Sequence, residues 1–142
     1  MSFSFSTNEF GAKCVGLDEL LKQEVDVIAP CALGAVFNKQ SIPELNTQIL
    51  AGGANNQLET SEDGQRLFDA GILYVPDYVI NAGGIINIAC EYYYDATDDE
   101  VWEQIAEIGP RLTSIFEVSV NSGRPTNVVA DEMAREIIVA AS

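Results

Sequence analysis

Residues 48–75 read QILAGGANNQLETSEDGQRLFDAGILYV, and this stretch decides the fold. Residues 48–51 form an apolar run of strand length, and residues 72–75 form another. Between them Thr60 or Ser61 can cap a helix over residues 62–70, and Gly71 supplies its C-terminal stop. Strand, helix and strand at this spacing predict a crossover unit, and therefore parallel strands.

The pattern extends in both directions. Val25-Asp26-Val27-Ile28-Ala29 predicts a buried strand stopped by Pro30. Before it, residues 17–24 read as a helix with Leu17, Leu20 and Leu21 on one face, and residues 13–15 as a short strand. Toward the C-terminus Asp98 or Asp99 begins a helix whose apolar positions Val101, Ile105, Ile108, Leu112, Ile115 and Phe116 keep the 3.6-residue period. Pro110 should kink or break it, and Asn121-Ser122-Gly123 ends it. A last helix is expected over about residues 127–141. The expected architecture is a single α/β domain over residues 1–142 with a helical tail from about residue 97.

Composition narrows the function. The chain has 142 residues, and 47% hydrophobic content is enough for a core. Twenty-two acidic residues against seven Lys and Arg leave a charge of −15, which disfavours nucleic acid and anionic lipid as partners. A salty habitat is a second source of such a charge. No apolar run reaches the roughly 20 residues that span a bilayer. Met1-Ser2-Phe3-Ser4-Phe5-Ser6 lacks the basic and apolar parts of a signal peptide, so a cytoplasmic protein is expected. The three cysteines, Cys14, Cys31 and Cys90, contain no CxxC pair, against both a disulfide framework and a zinc site. Histidine is absent, which removes the commonest general base and metal ligand. No metal is expected.

The exits of the predicted strands carry the chemical signal. Pro76-Asp77-Tyr78-Val79-Ile80-Asn81-Ala82-Gly83-Gly84 leads into the apolar run Ile85-Ile86-Asn87-Ile88-Ala89-Cys90. Paired glycines let a flat ligand approach the backbone, and Asn81 offers a donor and an acceptor, a combination suited to a carboxamide. A glycine-softened helix start without a ligand is the alternative. Pro30-Cys31-Ala32-Leu33-Gly34 and Ala51-Gly52-Gly53-Ala54-Asn55-Asn56-Gln57 are also small-residue exits, where open α/β sheets bind ligands. Taken singly, each also reads as a plain turn.

Other motifs are weaker. No GxGxxG and no Walker-type GK[ST] occurs. Lys13 and Lys39 lack the apolar flanks that depress an amine pKa, and Lys22 reads as a solvated helix position. Asp95, Asp98, Asp99 and Glu100 lack the spacing of a calcium loop and suit a helix N-terminus. Tyr92-Tyr93-Tyr94 is expected to pack between helices or at a subunit contact.

Three of these motifs, at residues 29–34, 51–58 and 76–84, resemble in order and separation the glutamate, leucine, phenylalanine and valine dehydrogenase family, most closely its leucine type. Residues 125–137 resemble the family's last helix, and the likeness covers roughly residues 8–140. The resemblance implies an incomplete Rossmann-like NAD(P)-binding domain whose strands correspond to the third to sixth of a doubly wound sheet. It implies NAD as cofactor and oxidative deamination of an apolar, branched-chain amino acid to its 2-oxo acid. By position, Cys31 and Ala32 would line the adenosine side of the cofactor, and Asn56 and Asn81 the nicotinamide. Ile85 and Ile88 would receive the substrate's aliphatic side chain. Asn55 is a weaker transfer, since relatives resembling this chain can carry Asp there.

The departures from the family pattern matter equally. The family's substrate domain, with two catalytic lysines and an aspartate, has no counterpart in this sequence, and neither do the first two strands with their phosphate loop. The sequence is therefore expected to be the C-terminal portion of such an enzyme, without a catalytic residue of its own and at most a feeble NAD binder. Without those neighbours the strand at residues 25–29 would present an apolar edge. Another chain, or residues 2–6 with Phe3 and Phe5 alternating, would cover it. A homo-oligomer or a complementing N-terminal half is the expected partner, and the resemblance also suggests octamers. A stand-alone interaction or weak ligand-binding module that has lost catalysis is the second reading.

Overall fold

The computed structural model describes residues 9–141. Its centre is a three-stranded parallel sheet of β1 (Val27–Ile28), β2 (Ile49–Leu50) and β3 (Leu73–Tyr74), in the order β1-β2-β3. The register pairs Ile28 with Leu50 and Leu50 with Tyr74, so the buried residue of each strand lies in one row. A parallel bridge between Phe37 and Leu58 ties the loop after β1 to the loop after β2.

The crossover between β2 and β3 is as the sequence predicts. Helix α2 (Ser61–Asp69) starts at Thr60, which forms a capping box with Asp63, and Gly71 follows it at φ +72. Leu67 is fully buried and packs with Ile28, Phe37, Ile42, Leu50, Ile72 and Tyr74 in the main core. Burial of each large aliphatic or aromatic side chain there contributes about 1.5–3 kcal/mol before entropy is counted.

The second half is helical. A short α3 (Asp77–Ile80) leads into α4 (Gly83–Tyr94), followed by α5 (Asp98–Ala106), α6 (Ile108–Ser122) and α7 (Thr126–Ala140). Ile115, Val129 and Ala130 form a second core where α6 meets α7. The start of α7 covers the β3 edge, where the Thr126 hydroxyl donates to the Tyr74 carbonyl at 2.5 Å. That bond occupies one of the acceptors on that side.

Several expectations need correction. Residues 13–15 form no strand, so among the described residues the sheet has three strands rather than four. The helix expected over residues 17–24 is a single turn, α1 (Leu17–Leu20). The strand at residues 25–29 is not buried on both faces: Val25 is 42% and Val27 47% exposed. That openness follows from its place at the sheet edge beside a groove of about 620 Å³ that Lys13, Val15 and Leu33 also line. Residues 2–6, the proposed cover, lie outside the described residues.

The long tail helix begins at Asp98, as the sequence predicts, with Thr97 as its cap and Glu100 completing the capping box. It breaks at Glu107, ahead of Pro110, which then sits in the first turn of α6 where a missing N–H costs nothing. Tyr92, Tyr93 and Tyr94 do not pack between helices; each is at least 75% exposed. Their ring contact is local, with Tyr92 and Tyr93 edge-to-face at 5.0 Å.

Candidate functional site

Each parallel strand ends on the same side of the sheet, so the segments at 29–34, 51–58 and 76–84 emerge next to one another. Glycines allow the first two to touch. A Cβ on Gly52 would stand 2.1 Å from the Pro30 carbonyl oxygen, and one on Gly34 would stand 2.9 Å from the carbonyl oxygens of Asn55 and Asn56. In the space so freed, Ala54 donates its N–H to Pro30 at 2.9 Å, and Ala35 donates to Asn56 at 2.7 Å. Gln57, fully buried, spans the inside of the β2 exit by donating to the carbonyls of Gly52 and Ala54.

Asp77 links the second exit to the third. Its carboxylate accepts the Asn56 N–H at 2.6 Å and the Tyr74 hydroxyl at 2.6 Å. Asn56 is held with φ at +53, a left-handed conformation that asparagine tolerates better than most residues. Burial, then the neighbouring Asp77 carboxylate, push the Tyr74 hydroxyl well above the usual tyrosine pKa, so it remains a donor. Burial and the Asp131 carboxylate do the same for Tyr78, which donates to Asp131 at 2.7 Å. The resulting frame joins α3 to the start of α7.

Asn81 caps this frame on its open side. Its side-chain amide donates to the Asn55 side chain at 2.7 Å and lies 3.4 Å from the Gly53 carbonyl. Gly83 and Gly84 differ from the packed glycines: a Cβ at either would meet no atom within 4 Å. Neither internal packing nor a positive φ requires glycine there. Ile85 and Ile88 continue from Asn81 along one stripe of α4, 65% and 60% exposed.

The structure thus brings several of the predicted site residues together. Cys31 and Ala32 are exposed at the β1 exit, and Cys31 lies 4.0 Å from the Cβ position of Gly53. Asn55, the weaker sequence transfer, is the residue that touches Asn81, whereas Asn56 is bound to Asp77. Asp77 was inside the quoted motif yet not singled out, because one aspartate after a proline reads as a turn residue. Among the described residues no group of three or more metal-ligating side chains occurs, and all three cysteines are free.

The fold is that of an amino-acid dehydrogenase unit. A sequence model of the Glutamate/Leucine/Phenylalanine/Valine dehydrogenase family matches residues 3–139, and the chain belongs to that family. It is 41% identical over 133 residues to leucine dehydrogenase of Geobacillus stearothermophilus, covering 94% of this chain and 36% of the relative. It is 44% identical over 131 residues to L-tryptophan dehydrogenase of Nostoc punctiforme, covering 91% of this chain and 36% of that protein. The crystal structure of L-tryptophan dehydrogenase from Nostoc punctiforme superposes with a TM-score of 0.88 at 41% identity, over 94% of this chain and 40% of that one. The chain therefore spans little more than a third of the length of the curated relatives it matches.

Proposed function

We propose that this chain supplies the cofactor side and the side-chain pocket wall of an NAD-dependent dehydrogenase acting on apolar α-amino acids. In this reading its sheet is the partial Rossmann-like half of a nucleotide domain, and the reaction is oxidative deamination to a 2-oxo acid. The observation that carries the proposal is the hydrogen-bonded union of the three strand exits: Asp77–Asn56 and Asn81–Asn55 join the second and third, and the Ala54–Pro30 and Ala35–Asn56 backbone bonds join the second to the first. A surface built from backbone, amides and unfilled glycines suits a flat, uncharged polar ring. Family membership over residues 3–139 favours this reading over a stand-alone interaction module.

The donor set suits two parts of NAD. The Asn81 amide nitrogen is engaged by Asn55, which leaves its Oδ1 to accept from the nicotinamide carboxamide beside Gly83 and Gly84. Cys31 and Ala32 offer small side chains to the adenosine. The diphosphate finds no counterpart: these exits contain neither a glycine-rich phosphate loop nor a lysine or arginine. Bound NAD would supply the hydride acceptor. Ile85 and Ile88 would receive the substrate's side chain, and their bulk suits a branched aliphatic group better than a large aromatic one.

None of these residues is assigned proton transfer. Asp77 is the only carboxylate in the three exit segments, and both its oxygens are occupied, by Asn56 and by Tyr74. The base and the carboxylate-binding cations must come from outside this set. The β1 edge, unpaired among the described residues, is a place for such a partner, either a complementing half or a second copy of the chain. Calorimetric titration with NAD, joined to a hydride-transfer assay with L-leucine, tests the reading. The expected result is a Kd of about 1 mM or weaker and no turnover. Turnover by this chain alone would overturn the assignment of proton transfer, and much tighter binding would overturn the importance given to the phosphate loop.

A further inference from the structure

We propose that a cavity between α3, α4, α6 and α7 is a second binding site, and that it takes an apolar α-amino acid as the zwitterion. The cavity is about 270 Å³, just below the range of roughly 300–1,000 Å³ usual for drug-sized ligands, and so of a size for a small metabolite. Val79, Ile86, Ile115 and Met133 line its apolar part, and Ile115 is almost fully buried at its floor. Glu107 and Arg111 line the same cavity, one helical turn apart. An apolar floor beneath one anionic and one cationic group matches an aliphatic side chain, an ammonium and a carboxylate.

The two charges are available. Ion pairs among the described residues engage Lys22, Arg66 and Arg124; Arg111, like Lys13, Lys39 and Arg135, is in none of them, and neither is Glu107, and both Arg111 and Glu107 are exposed. The guanidinium presents several donors in a planar fork that fits a carboxylate in two-point fashion. Glu107 then discriminates an amino acid from the corresponding 2-oxo acid, which has no ammonium.

This site is separate from the strand exits. Ile86 turns toward the cavity, while Ile85 and Ile88 lie on the exposed stripe of α4. The cavity also reaches Ala82, the residue after Asn81, so an occupant would press on the turn that carries the proposed nicotinamide contact.

The test is a methyl and amide NMR titration of the whole chain with three probes: L-leucine, 4-methyl-2-oxopentanoate and 3-methylbutylamine. The expected result is saturable binding of L-leucine with a Kd of about 1–10 mM and shifts at Ile86, Ile115 and Met133. Both other probes should bind at least about tenfold more weakly, each having lost one charged hydrogen-bonding group. Arg111→Gln should weaken L-leucine about tenfold, and Glu107→Gln should reduce the preference over the 2-oxo acid, with the amide spectrum of each variant showing the fold intact. No saturable shift at about 50 mM, equal affinity for the 2-oxo acid, or indifference to Arg111→Gln would overturn the proposal. Shifts confined to Ile85 and Ile88 would also overturn it, while leaving the reading of the strand exits in place.

Discussion

The Asp77 carboxylate accepts the backbone N–H of Asn56 at 2.6 Å, across 21 residues of sequence. That bond turns two loops into one surface, because Asp77 begins the exit of β3 and Asn56 lies in the exit of β2. It also holds Asn56 at φ +53, where a free loop would relax. Replacing Asp77 by Ala leaves the Asn56 N–H and the Tyr74 hydroxyl without their acceptor. Loss of a buried partner of this kind costs about 1–3 kcal/mol. Denaturant unfolding should show that loss for Asp77→Ala, and a smaller one for Tyr74→Phe, which keeps the Asn56 bond. Equal stability of Asp77→Ala and the parent chain would contradict the role given to this carboxylate.

Two glycines should respond with opposite signs. At Gly52 a methyl group would stand 2.1 Å from the Pro30 carbonyl oxygen, which is backbone and cannot rotate away. Gly52→Ala should therefore destabilise by about 1–3 kcal/mol or more. At Gly84, inside α4, a methyl group meets nothing within 4 Å. Gly84→Ala should stabilise by about 0.5–1 kcal/mol through helix propensity. If Gly84 is kept open for a ligand, the same variant should bind NAD more weakly despite its higher Tm. Melting curves read the first effect and titration reads the second.

Acid should loosen the crossover helix. Burial raises the Asp63 carboxyl, but hydrogen bonds from Thr60 and the Arg66 guanidinium outweigh it and leave the pKa below the usual carboxylate value. A group depressed in the folded state contributes stability above its unfolded pKa of about 4, and that contribution is lost as pH falls through the folded value. Stability measured between about pH 5 and pH 2 should decline, and part of the decline should vanish in Asp63→Asn. A pH profile of Asp63→Asn identical to that of the parent would count against this account.

How much of this was legible in the sequence depends on how local the physics is. The β2, α2 and β3 unit was readable because Ile49, Leu50, Leu73 and Tyr74 occur in short apolar runs, and because Thr60 and Gly71 punctuate the helix chemically. Residues 13–15 carry the same kind of pattern but find no strand to pair with, and a strand without a partner is not a strand. Pro110 marks a break in the sequence, but a proline can occupy the first turn of a new helix, so the break falls ahead of it at Glu107. The small-residue exits were visible as motifs. Their union was not, since the Asp77–Asn56 and Asn81–Asn55 bonds join residues 21 and 26 positions apart.

The open edge of the sheet makes a further prediction. Val27 is 47% exposed on β1, an edge strand of the sheet among the described residues. An uncovered apolar edge favours association with another chain, and a lysine placed there opposes it. Sedimentation velocity should find the parent chain self-associated at tens of micromolar, and Val27→Lys shifted toward monomer. A monodisperse parent monomer would remove the edge as a partner surface.

The account rests on the three strand exits forming the nicotinamide side of an NAD site. An amide NMR titration of the chain with NAD measures this directly, since it reports both affinity and location. The expected result is weak binding, with a Kd of about 1 mM or higher, and shifts concentrated at Asn55, Asn56, Asn81, Gly83 and Gly84. Shifts scattered elsewhere, or none at saturating NAD, would contradict it.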